Sequence, residues 1–284
     1  MKILVTGATG NVGGQVVSQL ATTPHELTVA TRDGVCPDGM VGNALKVDFE
    51  QPPVASPQFD AIFIVRPPHL ADPALFVRFL APHARDTRIV FLSVQGADTA
   101  GYLPHAKIEK AITAMGFPHV YIRPSYFMEN LTTTLWPELE KHRRIYLPAG
   151  ALALDWVSVR DVAAVAVAAL TGCVQTASIT VCSGHQTDFR TLCEIINRAT
   201  GAQVRYQPAS LWGYCRYMRR SGAAWSFIMI MLLLHFLPRF SRPAAHDCRA
   251  TAAVLGRKPD TLDAFVRRHH AQFAALAEET RQEK

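Results

Sequence analysis

The 284-residue sequence lacks the features that mark several large classes of protein. Its six cysteines are widely spaced and include no C-x-x-C pair, which argues against a zinc site or a disulfide framework and favours reduced thiols. The first twenty residues lack the basic start and uninterrupted apolar stretch of a signal peptide, because glycines interrupt them from Gly7 onward. These absences predict a cytoplasmic protein without a bound metal.

No apolar run reaches the length of about 18 residues that suggests a membrane-spanning helix. The longest mostly apolar stretch, residues 223–237, is shorter and includes Ser226 and His235. A buried or lid helix is the favoured interpretation of this stretch. Contact with a partner or with a membrane surface is the alternative.

Charged residues are also scarce, at 18% of the chain against 49% hydrophobic residues, a composition typical of a folded protein with a sizeable core. The formal net charge is +6, and the basic residues do not form a dense patch with interleaved aromatic side chains. A basic cleft for a phosphate-bearing cofactor explains them more simply than nucleic acid does. We therefore expect no nucleic-acid partner.

The first half of the sequence does contain a regular alternation of short apolar runs and helical patterns. This alternation predicts βαβ units and an α/β fold of the Rossmann type, with a doubly wound parallel sheet. The predicted strands are Lys2–Thr6, Leu27–Thr31, Ala61–Val65, Arg88–Leu92 and His119–Ile122. In the second half, a short strand is predicted at Trp156–Val159, before a helix over residues 162–170.

Residues 7–13 read Gly-Ala-Thr-Gly-Asn-Val-Gly, a G-x-x-G-x-x-G motif between the first strand and the first helix. Gly7 permits a tight turn, Gly10 admits a pyrophosphate close to the backbone, and Gly13 lets the helix approach the sheet. The N–H groups and positive dipole end of the helix add attraction for phosphate. The motif predicts a dinucleotide cofactor, although its spacing differs from the G-x-G-x-x-G of the usual dehydrogenases.

The end of the second predicted strand distinguishes between the two nicotinamide cofactors. An NAD-preferring site places an acid there to hold the ribose hydroxyls, whereas this chain has Arg32. A guanidinium group suits the 2′-phosphate of NADP, so we predict NADP(H). The alternative is a solvated arginine that pairs with Asp33.

Asp48 and Phe49 follow a third short strand, where the acid can reach the adenine amine and the ring can cover the base.

Several stretches of the chain together resemble the NmrA-like atypical short-chain dehydrogenase/reductases. They are GATGNVGG at 7–14, Arg32, the pair His105 and Glu109, and residues 122–130, 156–163 and 255–259. That family includes NADPH-dependent quinone reductases, redox-sensing regulators and reductases of the festuclavine dehydrogenase type that act on iminium intermediates. The likeness weakens over residues 205–245, where the substrate would be selected.

The resemblance implies an NADP(H)-binding Rossmann domain over residues 1–150. A smaller, mostly helical substrate-binding region, residues 151–284, is expected on the carboxyl edge of the sheet. The predicted cofactor-binding residues are Gly7, Thr9, Gly10, Asn11, Val12, Arg32, Asp48, Phe49 and Val65.

The catalytic pair Tyr-x3-Lys, which many relatives outside this group use, is absent. Tyr102 is followed four residues later by Ala106, and Lys107 stands one position too far. The remaining catalytic candidates are Ser93, His105, Lys107 and Tyr126, with Phe127 and Trp225 as substrate contacts. His105 is a candidate general acid because imidazole titrates near neutral pH, or alternatively a helix-start histidine that faces water.

We therefore predict an NADPH-dependent reductase that transfers hydride to a small unsaturated substrate with a C=C, C=N or C=O bond. A non-enzymatic NADP(H)-sensing regulator of a protein partner is one alternative, and an isomerase or cyclase that retains its nucleotide is another. A lid at residues 223–237 favours the enzyme, whereas a solvent-exposed patch there favours the regulator. The sequence does not decide whether the protein forms a homodimer.

Overall fold

The computed structural model describes residues 1–52, 55–240 and 248–282. The described strands are β1 (Lys2–Val5), β2 (Glu26–Thr31), β3 (Asn43–Lys46), β4 (Ala61–Val65), β5 (Arg88–Leu92), β6 (His119–Pro124), β7 (Tyr126–Phe127), β8 (Arg144–Leu147), β9 (Ala153–Val157), β10 (Ser178–Val181), β11 (Gln186–Asp188) and β12 (Arg205–Pro208). The helices are α1 (Asn11–Leu20), α2 (Pro73–Leu80), α3 (Pro104–Ala114), α4 (Trp136–His142), α5 (Val159–Leu170), α6 (Phe189–Thr200), α7 (Leu211–Arg220), α8 (Trp225–His235), α9 (Arg249–Leu255), α10 (Leu262–Arg268) and α11 (His270–Gln282). Within these residues no helix is long and apolar enough to cross a membrane.

The chain divides into two compact units, and neither is a continuous stretch of sequence. The first unit contains Met1–Ser125, Val157–Cys182 and Asp247–Pro259, and the second contains the remaining segments. This division differs from the single boundary predicted at residue 150. The reason is that α5 and β10 complete the first unit, since β10 pairs with β6 and α5 packs against α1. A local pattern in sequence does not show which sheet a late strand joins.

The first unit is built on a seven-stranded parallel sheet in the order β3-β2-β1-β4-β5-β6-β10. The doubly wound sheet predicted from the sequence is therefore confirmed. Strands β1, β4 and β5 are apolar runs whose central side chains are buried, as strands covered on both faces must be. The strand order reverses between β1 and β4, the point at which such sheets bind ligands beyond their carboxyl ends.

Two stretches that carried the family resemblance meet inside the first unit. Arg257 Nη2 lies 2.5 Å from Oδ1 of Asp161, whose side chain is fully buried in the first turn of α5. Ser158 caps the same helix by accepting a hydrogen bond from the Asp161 N–H. This cap ends the preceding strand at Val157, so the predicted strand Trp156–Val159 is wrong over its last two residues.

The second unit has its own hydrophobic core, formed around large side chains that include Trp156, Phe189 and Tyr214. A small sheet in the order β11-β9-β7 and the pair β8–β12 contribute to this unit. Helix α6 begins at Asp188, whose side chain accepts the Thr191 N–H, and ends at Gly201 in the left-handed conformation.

A disulfide joins Cys182, at the end of β10, to Cys248, at the start of α9, with their Cα atoms 5.4 Å apart. The expectation of reduced cysteines throughout is therefore wrong. The two cysteines are 66 residues apart in sequence, and only the packing of α9 against β10 brings them together. Thr251 of α9 holds the same contact, because its hydroxyl donates to the Thr180 carbonyl and accepts from the Cys182 N–H.

Cys182→Ser is expected to lower the free energy of unfolding by about 2–4 kcal/mol, because it releases a long closed loop in the unfolded chain. Cys173→Ser, at an exposed free cysteine, is the matched control and should change stability little. Urea denaturation measures both variants. Denatured wild-type protein should titrate four thiols before reduction and six after it, and six thiols without reductant would contradict the disulfide.

Candidate functional site

The turn between β1 and α1 has no room for side chains at two of its glycines. Gly7 has φ +65°, and a Cβ there would lie 2.8 Å from the Cβ of Val65. A Cβ at Gly13 would lie 2.2 Å from the Gly7 carbonyl oxygen. The turn is further held to β4, because the Val65 N–H donates to the buried Thr6 hydroxyl at 2.9 Å. These two glycines are therefore required by packing within the protein.

Gly10 differs from both, because its backbone φ of −89° is open to any residue. A Cβ there would meet the Gly7 carbonyl oxygen at 3.3 Å, with no other described heavy atom within 4 Å outside its chain neighbours. Gly10 is also the N-cap of α1, and no side chain in the described chain hydrogen-bonds to this helix end. Thr9, Gly10 and Asn11 are exposed, whereas Val12 turns into the core. The space beside Gly10 and the free N–H groups of α1 fit a pyrophosphate.

Gly10→Val is expected to abolish NADPH binding, because the isopropyl group would occupy the space left for the pyrophosphate. Its circular dichroism and its free energy of unfolding should stay close to those of the wild type. Gly13→Ala is the contrasting variant and should lose stability through the clash with Gly7. Undiminished NADPH affinity in folded Gly10→Val, measured by calorimetry, would show that the turn is only structural.

Arg32, just beyond β2, is exposed, and no carboxylate in the described parts of the chain lies within ion-pair distance of it. The neighbouring Asp33 carboxylate instead accepts the Val35 N–H at 3.1 Å. This hydrogen bond, followed by one from Thr31 and, as the smallest contribution, the charge of Arg32, holds the pKa of Asp33 below its usual value. The alternative of an Arg32–Asp33 pair is thus not found, and the guanidinium group is available to a phosphate.

The two residues after β3 have different environments. Asp48 is exposed, and its Oδ1 accepts the Glu50 N–H at 2.9 Å. Phe49 is buried, with its ring centroid 5.0 Å from that of Phe76 and 4.8 Å from that of Phe79. This packing of the ring against α2 argues against the expectation that Phe49 covers the adenine.

Arg66, directly after β4, was not identified from the sequence. Its Nη1 donates to the carbonyl oxygens of Pro67, Pro68 and Leu70 at 3.0, 2.9 and 2.7 Å. Its Nε donates to His105 Nε2 at 3.2 Å. Arg66 thus fixes the loop after β4 and joins it to the start of α3.

This contact and the burial of the ring together determine the protonation of His105. Burial first, and the charge of Arg66 second, lower the pKa of His105 to about 4. Nε2 accepts from Arg66, so the neutral imidazole carries its proton on Nδ1. The ring also lies 6.0 Å from that of Phe91. His105 is therefore neutral at physiological pH, which argues against its acting as an imidazolium acid.

Ser93, at the end of β5, is buried in a charged network. Its Oγ donates to Glu109 Oε1 at 2.5 Å, and Arg123 binds the same carboxylate through Nε at 3.0 Å and Nη2 at 2.6 Å. Arg123 also lies 3.5 Å from the carboxylate of Asp98. The Ser93 proton points at Glu109, which argues against its donation to a substrate. The one arginine inside the otherwise apolar strand β6 is the sequence signal that could have revealed this pair.

The other candidates are divided between the units. Lys107 is exposed on α3, so Ser93, His105 and Lys107 share the region where β5 ends and α3 begins. Tyr126, Phe127 and Trp225 belong to the second unit. Phe127 is half-buried in β7, and Trp225 is 57% exposed on α8.

The Tyr126 hydroxyl lies 2.9 Å from Nε2 of the fully buried His235. His235 Nδ1 lies 2.8 Å from the Met231 carbonyl oxygen, so Nδ1 carries the proton and Nε2 accepts from Tyr126. Burial raises the pKa of Tyr126 and lowers the pKa of His235 to about 4. This neutral pair fastens α8 to β7 within the second unit.

No family model matches the chain. It is 26% identical over 290 residues to the NAD(P)H azoreductase of Xenophilus azovorans, covering 96% of this chain and 99% of that one. It is 25% identical over 290 residues to the uncharacterized oxidoreductase YesF of Bacillus subtilis, covering 96% and 97% of the two chains. The structure of the NADPH-dependent quinone oxidoreductase of Escherichia coli with NADPH matches with a TM-score of 0.75 at 18% identity, covering 95% of this chain and 99% of that one. Two of these proteins are NAD(P)H- or NADPH-dependent reductases and the third is an oxidoreductase, the type that the motifs resemble, so the resemblance is confirmed.

Proposed function

We propose that this chain is an NADPH-dependent reductase of the NmrA-like type that transfers hydride to a small unsaturated substrate. The observation that carries the proposal is the open space beside Gly10 together with an unpaired Arg32 just beyond β2, among the described residues. Relatives that match nearly the whole chain are oxidoreductases, which supports the activity. NADP(H) is the cofactor that this site and these relatives support.

Different residues of the first unit bind different parts of NADPH. The turn at Gly7 and the N–H groups of α1 bind the pyrophosphate, and Arg32 binds the 2′-phosphate. NADPH supplies the hydride when it is bound, so the protein contributes orientation, electrostatics and exclusion of water. Lys107, exposed at the start of α3, is available to a ribose hydroxyl.

The chemistry of the remaining candidates favours a substrate that needs no strong acid. Ser93 donates to Glu109, His105 is neutral, and Tyr126 donates to a buried histidine. A substrate that already carries positive charge, such as an iminium, loses that charge as hydride arrives and requires no proton from the protein. We therefore propose a positively charged C=N acceptor ahead of a quinone, an enone or an isolated ketone, whose reduction builds negative charge on oxygen.

Arg32→Ala is expected to weaken NADPH binding by about 1.5–3 kcal/mol, the usual contribution of a hydrogen bond to a charged group, and to leave NADH binding nearly unchanged. Isothermal calorimetry with both cofactors measures this difference. Arg190→Ala, at an exposed arginine of α6, is the matched control and should change neither affinity. If Arg32→Ala weakened the binding of NADPH and NADH equally, the assignment of Arg32 to the 2′-phosphate would be wrong.

His105→Gln is expected to reduce single-turnover hydride transfer to an iminium by less than about 100-fold, because an essential acid typically contributes 10²–10⁴-fold. Glutamine keeps an acceptor for Arg66 but cannot serve as an acid. The loss should be larger on an enone, where developing negative charge needs a proton. Since the His105 pKa is about 4, the wild-type rate should show no inflection from this residue above about pH 5.5.

A loss above about 1000-fold on both substrates, with NADPH affinity preserved, would make His105 an essential acid and contradict the proposed mechanism.

A regulator that senses NADP(H) is the second candidate, and one observation favours it. Helix α8 presents an apolar face to solvent, the feature that distinguishes a partner surface from a lid. NADPH oxidation measured against quinones, enones and imines, beside a binding titration, separates the candidates: tight binding without turnover on any acceptor would favour the regulator. A cytoplasmic location and the absence of a nucleic-acid partner belong to the primary proposal, which leaves a homodimer open.

A further inference from the structure

Helix α8 is apolar on both of its faces. Ile228, Met231 and His235 are buried on one side, where they join the core of the second unit. The other side carries exposed apolar side chains at helical spacing, continuing just past the helix end. They are Trp225, Met229, Ile230, Leu233, Leu234, Leu237 and Phe240, between 40% and 74% exposed. We call this set the apolar face. An exposed apolar patch of this kind marks a site of contact with a protein or a membrane.

The segment of sequence that carries the apolar face has charge of a single sign. The sequence contains no aspartate or glutamate between Glu194 and Asp247. Arg216, Arg219 and Arg220 are exposed on α7, and Arg239 is exposed just beyond α8. Glu138 of α4 does lie against α7, where it accepts the Tyr217 hydroxyl at 2.7 Å, but its carboxylate is already paired with Arg144 at 2.6 Å. The exposed arginines that border the apolar face therefore predict an anionic counterpart.

Aromatic rings and arginines are stacked at both ends of the apolar face. The Arg219 guanidinium lies 5.3 Å from the Trp225 ring centroid, and that of Arg239 lies 5.5 Å from Phe236 and 5.8 Å from Phe240. Tryptophan and arginine are the side chains that anchor helices at the boundary between lipid headgroups and acyl chains. Basic residues bordering an apolar helix face are typical of helices that lie in this boundary.

We propose that the apolar face docks on the surface of an anionic lipid bilayer, with α8 lying in the interface and the arginines of α7 contacting phosphate headgroups. A second copy of the chain fits less well, because a two-fold interface pairs identical surfaces and would bring the exposed arginines of both copies together. The proposal is independent of the cofactor site, which lies in the first unit.

Co-sedimentation with vesicles tests the proposal on the full chain. Vesicles of phosphatidylcholine with about one-third phosphatidylglycerol should bind at least about tenfold more protein than vesicles of phosphatidylcholine alone, and added salt should reduce the difference. Arg216→Gln and Arg220→Gln should each weaken binding to the anionic vesicles about fivefold, the contribution of one basic residue near such a surface.

Ile230→Glu combined with Leu234→Glu should reduce vesicle binding by at least about tenfold, because it places charge in the apolar face. Val41→Glu makes the same kind of change at an exposed valine of the first unit and should bind like the wild type. Circular dichroism and NADPH affinity, unchanged in all variants, show that folding and the cofactor site are intact.

Three outcomes would overturn the proposal. They are no binding of the wild type to either vesicle, equal binding to charged and neutral vesicles, and a dimer in light scattering that the double glutamate variant converts to a monomer. The last outcome would assign the apolar face to a second copy of the chain.

Discussion

The close approach of α1 to the turn after β1 leaves no space for a side chain at Gly13. A Cβ there would lie only 2.2 Å from the Gly7 carbonyl oxygen. This contact places the start of α1 directly beyond the carboxyl end of the sheet, beside the point where the strand order reverses. Among the residues that the structure describes, no side chain caps the first-turn N–H groups of α1. The phosphate site and the packing of the first unit therefore depend on the same backbone contact.

Buried charge in the first unit is arranged in pairs, and this arrangement limits the available chemistry. The Glu109 carboxylate is saturated by Ser93 and Arg123, and Asp161 is paired with Arg257. A buried charge is strongly destabilising when its partner is removed, so these groups are held in fixed roles. Burial first, and the charge of Arg66 second, keep His105 neutral. The region beyond β5 consequently offers orientation and electrostatic stabilisation more readily than proton donation.

The second unit combines a well-packed interior with an apolar exterior. The bond from Tyr126 to His235 sets the rotation of α8, because it turns one side of the helix into the core. Any apolar residue on the opposite side must then face outward. The exposed face is thus a consequence of how α8 is anchored.

The sequence by itself determined the elements whose information is local. Continuous apolar runs indicated β1, β4 and β5, the glycine spacing indicated the turn before α1, and Arg32 indicated the cofactor. Each depends on residues within a few positions of one another, so a pattern is enough. Only the tertiary structure decided which segments form each unit, that Cys182 meets Cys248, that Phe49 enters the core and that His105 is buried beside Arg66. These outcomes depend on contacts between residues far apart in sequence, which the packing of late segments onto an early sheet creates and which no local spacing encodes.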